Sequence, residues 1–167
     1  MPFRIAVESP LQDDIRVLIA ELNAYLLSIF PPEACSHMTV EQMNQPDTTV
    51  FIARDDQGHP VACGALRRHA DGIGEVKRMF TRPAFQGQGL GGRMVALIED
   101  LARREGFSHL VLETGLGLEA AWHVYERAGF TRCGPVLTYP DIPTSVFYEK
   151  SLQDSDLGDC KPDRTVQ

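Results

Sequence analysis

Four glycines lie within six residues in the segment Gln86-Gly87-Gln88-Gly89-Leu90-Gly91-Gly92. An apolar, strand-like stretch and Pro83 precede the segment, and apolar residues at helical spacing follow it. Glycines let the backbone approach a ligand closely with its N–H groups turned inward. The start of a helix adds unpaired N–H donors and the positive end of the helix dipole. The segment therefore predicts an anion-binding loop suited to a pyrophosphate.

A dinucleotide-binding loop is the alternative interpretation of the same glycines. Gly87, Gly89 and Gly92 satisfy the pattern G-x-G-x-x-G, and Glu113 follows about twenty residues later. Such a loop normally follows its strand at once, whereas Arg82 to Gln86 intervene here. Nearly half of the chain also precedes the loop, which leaves room for one β-α-β unit after it. The dinucleotide interpretation is therefore the weaker one.

The glycine segment resembles the signature of the GNAT superfamily of N-acetyltransferases. Gln86 to Gly91 matches its order of Gln or Arg, two residues, Gly, any residue, then Gly or Ala. Downstream, Val124-Tyr125-Glu126-Arg127-Ala128-Gly129-Phe130 is similar to the family's aromatic pair around a helix end. The resemblance extends roughly from Thr49 to Phe130. It implies an N-acetyltransferase with acetyl-CoA as the acetyl donor.

The resemblance also implies which residues contact the cofactor. Backbone groups of Met79 and Thr81 are expected to contact the pantetheine arm, and the amides from Gly87 to Gly92 are expected to hold the pyrophosphate. The full set of predicted cofactor-binding residues is Met79, Phe80, Thr81, Gln86, Gly87, Gln88, Gly89, Leu90, Gly91 and Gly92.

Two glutamates are candidates for the proton transfer that such a reaction needs. A lysine-like amine is protonated at pH 7, and forming its neutral, nucleophilic state costs about 4.6 kcal/mol. A carboxylate in the site can take that proton. Glu75 lies eleven residues before Gln86, an offset similar to that of a general-base glutamate in some family members. Glu113, at the end of the neighbouring predicted strand, is the second candidate. The alternative for Glu75 is a surface ion pair with Lys77 or Arg78, and the alternative for Glu113 is a structural partner of Arg78 or of a backbone group.

Tyr125 matches the position of a tyrosine that faces the cofactor sulfur in many family members. A phenol with a pKa of ~10 protonates a thiolate of ~8.5 only uphill, by about 2 kcal/mol. Hydrogen bonding to the leaving thiolate is therefore as credible as proton donation. A core tyrosine without a catalytic role is the alternative.

Glu33 and His37 follow the first predicted helix, where acceptor specificity is usually found in this family, so they are candidate substrate-binding residues. The remaining histidines have no metal-ligand spacing, and no metal site is predicted. The net charge of −7 disfavours a nucleic-acid partner, and no apolar run is long enough for a membrane span. Four scattered cysteines and the absence of a secretory leader favour the cytoplasm. A homodimer is left open.

The elements expected to position these residues follow the order β-α-β-β-β-α-β-α-β. Leu11, Ile15, Leu18 and Leu22 begin a helical series that extends to about Phe30, with Ser9 and Pro10 as its predicted start. This order predicts the α/β class, with a mixed sheet flanked by helices. The resemblance implies a single-domain GNAT-like fold whose mostly antiparallel sheet is split where the cofactor inserts. Residues 1–152 are expected to form the acetyltransferase domain, and the polar segment 153–167 a disordered tail.

The predicted function is direct transfer of an acetyl group from acetyl-CoA to a primary amine of a small molecule or peptide. No cysteine lies beside the donor loop, so an acyl-enzyme intermediate is not predicted. A non-catalytic acyl-CoA-binding module is the alternative from another functional class, and the dinucleotide-binding enzyme is the weaker one.

Overall fold

The computed structural model describes residues 2–35 and 37–153. Seven strands form one sheet in the order β1-β2-β3-β4-β5-β7-β6. The strands are β1 (Arg4–Val7), β2 (Thr48–Arg54), β3 (Pro60–Arg68), β4 (Ile73–Thr81), β5 (His109–Gly115), β6 (Thr131–Cys133) and β7 (Ser145–Ser151). The helices are α1 (Asp13–Ile29), α2 (Val40–Met43), α3 (Leu90–Arg104) and α4 (Glu119–Arg127).

Both faces of the sheet are covered. On one face, α3 and α4 bury residues such as Val76, Met94 and Leu110 in the larger core. On the other face, α1 and α2 pack on alternate residues of β2 and β3, including Ile52 and Cys63. The period-2 alternation of strand side chains supplies both faces from the same strands. The predicted α/β class with a mixed, mostly antiparallel sheet is confirmed.

The sheet opens between β4 and β5, its one parallel pair within the described residues. The two strands pair only over Ile73–Glu75 and His109–Val111, and then diverge. Beyond Glu75, no described strand pairs with β4 on this side. The predicted split in the sheet is therefore present, and it exposes a backbone edge of β4 to the gap.

A β-bulge in β4 changes which side chains share a face. Ala65 lies two positions after Cys63 on β3, whereas their partners on β4, Lys77 and Phe80, lie three positions apart. Arg78 takes the extra place with a φ of 55°, in the left-handed region that most side chains avoid. As a result, Val76 and Met79 both face α3. The intervening Lys77 and Arg78 both face the opposite side of the sheet, where Lys77 contacts Tyr139 and Arg78 contacts Asn23 of α1.

Some local predictions were wrong. Helix α1 begins at Asp13, not beside Ser9, because the Ser9 hydroxyl instead accepts a hydrogen bond from the Leu11 amide in a turn before the helix. The short strand β6 was missed because three residues give no periodic signal. The mostly antiparallel sheet also lacks the doubly wound parallel order of a dinucleotide fold, so that alternative is excluded. Residues 154–167 of the predicted tail lie outside the described residues.

None of the described helices has the length and hydropathy that a bilayer-crossing segment requires.

Gly64→Ala is expected to lower the free energy of unfolding by about 1–3 kcal/mol. A Cβ at Gly64 would lie 2.6 Å from the Met79 sulfur, 2.7 Å from Met94 Cγ and 3.3 Å from Ile98 Cδ1, so the packing of α3 on the bulged strands must shift. Gly134→Ala is the matched control, since its Cβ would have no heavy atom within 4 Å. Urea unfolding measures both variants. Equal midpoints for Gly64→Ala and the control would contradict this packing analysis.

Candidate functional site

A cleft of about 1070 Å³ occupies the gap between β4 and β5. The end of α1, the edge of β4, the glycine loop, the start of α3, the end of β5 and α4 all contribute to its walls. The cleft therefore reaches both faces of the sheet. Such a passage lets one molecule enter from the side of the glycine loop and a second from the side of α1.

The glycine loop forms one wall of the cleft and has the geometry that an anion-binding loop needs. Gly87 and Gly89 have φ values of 78° and 79°, and Gly89 is the N-cap of α3. No heavy atom lies within 4 Å of an added Cβ at Gly87, Gly89 or Gly92. Open space beside these backbone groups and the N-terminus of a fifteen-residue helix fit a pyrophosphate.

Most of the predicted cofactor-binding residues line this cleft. They are Met79, Phe80, Thr81, Gln86, Gly87, Gly89, Leu90, Gly91 and Gly92. Gln88 is exposed and lies outside the lining. The Gln86 side chain donates to the Thr81 carbonyl at 3.1 Å, which ties the loop to the end of β4. The unpaired edge of β4 offers main-chain donors and acceptors to an extended ligand arm, in the manner of an added strand.

Glu75 lies on the α1 side of the opening with only 2% of its surface exposed. One carboxylate oxygen, Oε1, lies 2.9 Å from His69 Nε2. The other, Oε2, accepts hydrogen bonds from the Tyr139 hydroxyl at 2.5 Å and from Lys77 Nζ at 3.4 Å. Lys77 also donates to the Tyr139 oxygen at 2.6 Å. Both oxygens of Glu75 are therefore engaged by protein groups, and its charge is compensated by Lys77.

Glu113 lines the same cleft from β5 and is half-buried. Burial raises the pKa of its carboxyl above the usual value, and the negative charge of Glu75 adds to the rise, while Lys77 opposes it. A carboxylate with a raised pKa is a better base at neutral pH than an ordinary glutamate.

Tyr125 on α4 lines the cleft with 5% of its surface exposed. Its ring packs edge-on to Phe130 and beside Tyr148 in the larger core. Burial raises the pKa of the phenol strongly. Within the described residues, the hydroxyl has no hydrogen-bond partner, so its proton is available to a group in the cleft.

Arg78 and His37 meet on the α1 side of the cleft, which both residues line. One guanidinium nitrogen lies 3.4 Å from His37 Nδ1, and another donates to the Asn23 side-chain oxygen. Burial, aided by the positive charge of Arg78, lowers the pKa of His37. The imidazole is therefore neutral at pH 7.

Two residues near the end of α1 differ from expectation in their placement. Glu33 is exposed in a 3-10 turn and does not line the cleft, so the structure does not bring it to the other candidates. Cys35 does line the cleft. Burial raises the pKa of its thiol, and the charges of Glu113 and Glu33 raise it further. A raised pKa disfavours the thiolate that an acyl-enzyme mechanism needs.

Sequence reasoning did not nominate Tyr139, Asn23, Lys77 or Arg78 as site residues. Lys77 and Arg78 were weighed only as ion-pair partners, and the period-2 rule places them on opposite faces of a regular strand. The bulge that places both side chains on one face has no sequence signal here, because arginine is not typical of a positive φ. Tyr139 arrives from the loop before β7, sixty-four positions from Glu75. In the described part of the chain, no cluster of three or more potential metal ligands is present.

Comparisons with known proteins agree on one family. Residues 19–130 match the sequence model of the acetyltransferase (GNAT) family. A protein of Azospirillum brasilense named IAA acetyltransferase is 41% identical over 149 residues, which cover 89% of this chain and 97% of that protein. The N-acetyltransferase YsnE of Bacillus subtilis, itself uncharacterized, is 32% identical over 84% of this chain and 97% of its own length.

Solved structures show the same fold. A Klebsiella pneumoniae protein described as an acyl-CoA N-acyltransferase superposes with a TM-score of 0.76 at 31% identity, covering 90% of this chain and 98% of that chain. The PaiA N-acetyltransferase of Thermoplasma acidophilum, solved in complex with coenzyme A, gives a TM-score of 0.68. It is 16% identical and covers 90% of this chain and 99% of its own.

Proposed function

The chain belongs to the GNAT family of acetyltransferases, and on that premise we propose that it transfers an acetyl group directly from acetyl-CoA to a primary amine of a small molecule or peptide. The single observation that carries the proposal is the cleft between the diverging strands, with an anion-binding loop at one end and two carboxylates at the other. The predicted GNAT-like fold and enzyme class are confirmed by the comparisons. The acceptor, the residue roles and a cytoplasmic location are proposals.

The pyrophosphate of acetyl-CoA would lie on the amides from Gly87 to Gly92, and the pantetheine arm would follow the free edge of β4 past Thr81 and Met79. Support for this placement comes from the open space beside the glycines and from the unpaired edge itself. The thioester would then lie near the point where β4 and β5 separate. The amine would approach from the α1 side.

Glu113 is the better of the two proposed bases on the contacts of the free protein. Both oxygens of Glu75 are already held by His69, Tyr139 and Lys77, whereas the carboxyl of Glu113 has a raised pKa and opens on the cleft. In this proposal Glu113 accepts the amine proton. Glu75 holds Lys77 in place and limits its effect on Glu113. Glu75 remains the alternative base.

Tyr125 is proposed to donate a hydrogen bond to the sulfur of the departing thiolate. Its raised pKa makes full proton transfer to a thiolate still more uphill than for an ordinary phenol. A hydrogen bond needs no such transfer. No acyl-enzyme on Cys35 is proposed, because its thiol is held in the protonated form.

Acetyl-CoA is expected to raise the melting temperature, and NAD is not. A ligand at a hundred times its dissociation constant adds about 2.7 kcal/mol to the free energy of unfolding.

Gly92→Val should weaken acetyl-CoA binding at least ~10-fold without unfolding α3, since its Cβ would have no protein heavy atom within 4 Å and its side chain would enter the proposed pyrophosphate space. Gly134→Val, outside the cleft, is the control. Thermal shift and titration calorimetry read both. Stabilisation by NAD alone would refute the cofactor assignment.

Glu113→Gln is expected to lower kcat by about 10²–10⁴-fold near neutral pH. The loss should shrink as the pH rises toward the pKa of the amine, because the nucleophile then loses its proton unaided. Glu75→Gln should cost less and show no such recovery. Release of free CoA from pH 6 to 9 measures both variants, with an acceptor panel of amino acids, polyamines, aminoglycoside-like drugs and peptides. IAA, from the name of the Azospirillum relative, completes the panel. The reverse pattern would assign the base to Glu75.

Tyr125→Phe is expected to lower kcat by about 10–100-fold, the loss of one hydrogen bond to a charged group. The loss should stay constant from pH 6 to 9, and the affinity for acetyl-CoA should be nearly unchanged. Since phenylalanine keeps the ring contacts with Phe130 and Tyr148, stability is the internal control. Binding of acetyl-CoA with no thiol release by any variant or by the parent protein would instead indicate the non-catalytic module.

A further inference from the structure

Arg78 is a buried cation for which the described residues supply no carboxylate. Only 9% of its surface is exposed. The more exposed arginines for which the described residues do supply a carboxylate within 4.0 Å have side chains that are 12–45% exposed: Arg16, Arg54, Arg67, Arg68, Arg82 and Arg103. Around Arg78 the partners are the Asn23 oxygen and His37 Nδ1, both uncharged. Its Nε is buried with no hydrogen-bond acceptor.

Leaving a guanidinium in this state is unfavourable. A buried charge normally has a hydrogen-bonded counter-ion. A buried donor without an acceptor destabilises the folded protein by the full free energy of its desolvation. Burial lowers the pKa of Arg78 for the same reason. The bulge at φ 55° adds backbone strain at the same residue. An unpaired charge and a strained backbone together at a cleft wall are typical of a functional position.

We propose that the acetyl acceptor carries a carboxylate near its amine, and that Arg78 binds this carboxylate. This inference rests on the proposed acetyl transfer and names the substrate class for it: a small amino acid or related amino carboxylate. Arg78 faces α1, on the side of the sheet opposite α3 and the larger core. It therefore meets the acceptor side of the cleft. Glu113 and Glu75 face the same side and leave the amine end of such a molecule beside a base.

The charge of the pocket fits a single negative charge. Lys77 is compensated by Glu75 at 3.4 Å, and the neighbouring His37 is neutral at pH 7 because its pKa is lowered. One uncompensated positive charge remains on Arg78. The planar guanidinium matches the two oxygens of a carboxylate, whereas a doubly charged phosphate would leave one negative charge buried.

Matched acceptor pairs test the proposal. Each pair is an amino acid and its carboxamide, assayed by release of free CoA. A carboxamide has the lower amine pKa, since the adjacent carboxylate that stabilises the ammonium is gone, so intrinsic reactivity favours the amide. We expect the acid to have a kcat/KM at least ~10-fold higher. Equal or higher values for the carboxamides would overturn the inference and leave acetyl transfer standing.

Two variants locate the carboxylate. Arg78→Met should lower kcat/KM for the acids by ~30-fold or more, as for truncation of one partner in a buried charge pair, mainly through KM. It should leave the carboxamides and acetyl-CoA affinity nearly unchanged. Asn23→Asp puts a carboxylate beside Arg78 with little change of shape, so it should also weaken the acids selectively. A purely structural role for Arg78 predicts no loss in Asn23→Asp. Arg16→Met, which removes an exposed pair with Glu41, is the control.

The outcomes separate the two proposals. Loss of acetyl-CoA binding in Arg78→Met would assign the arginine to the cofactor and overturn the inference. Equal losses for acids and carboxamides in a folded variant would do the same. Failure of every acceptor to release CoA from the parent protein would refute the proposed acetyl transfer itself. Selective loss of the acids in both variants, with the control unchanged, supports the inference.

Discussion

The early separation of β4 from β5 is the constraint on which the site depends. Parallel strands normally continue their hydrogen bonds along their length, and an unpaired edge inside a domain is unfavourable. Here pairing stops after Glu75 and Val111. β5 is instead paired along its full length with β7 on its other edge, which holds it while β4 diverges. The backbone groups left without strand partners on β4 are therefore available to hydrogen-bond an extended ligand.

The β-bulge at Arg78 is the second constraint on the site, and it lies in the part of β4 that has separated from β5. An extra residue in a strand bends it and re-aims the side chains beyond. In this sheet it keeps Met79 in the core against α3 while turning Arg78 toward α1. The thiol of buried Cys63 donates to the Arg78 carbonyl at 3.2 Å, so β3 follows the distortion. The cleft thereby gains a cation on its α1 side.

The parts of the fold that follow from local pattern were predictable. Apolar residues at helical spacing gave α1 and α3, and four glycines before Leu90 gave the loop and its place in the cleft. What was not predictable depends on contacts distant in sequence. Tyr139 reaches Glu75 only because β7 returns beside β5. Arg78 shares a face with Lys77 only because of a bulge that alternation cannot anticipate. Glu33 illustrates the reverse: adjacency to His37 in sequence did not bring it to the cleft.

The arrangement of charge in the cleft indicates that the acetyl acceptor is recognised by direct contacts and not by long-range electrostatic attraction. A net charge of −7 would draw a cationic amine toward the protein, but a polyamine would then meet the uncompensated positive charge of Arg78 on the acceptor side. An amino carboxylate has no net charge, so the surface field neither attracts nor repels it at a distance. In the proposed complex its two ends would have different partners: the carboxylate would meet Arg78, and the ammonium would meet the half-buried Glu113. Each protein charge that burial leaves unpaired then has a partner on the same small molecule, and the amine becomes neutral only where its proton has an acceptor.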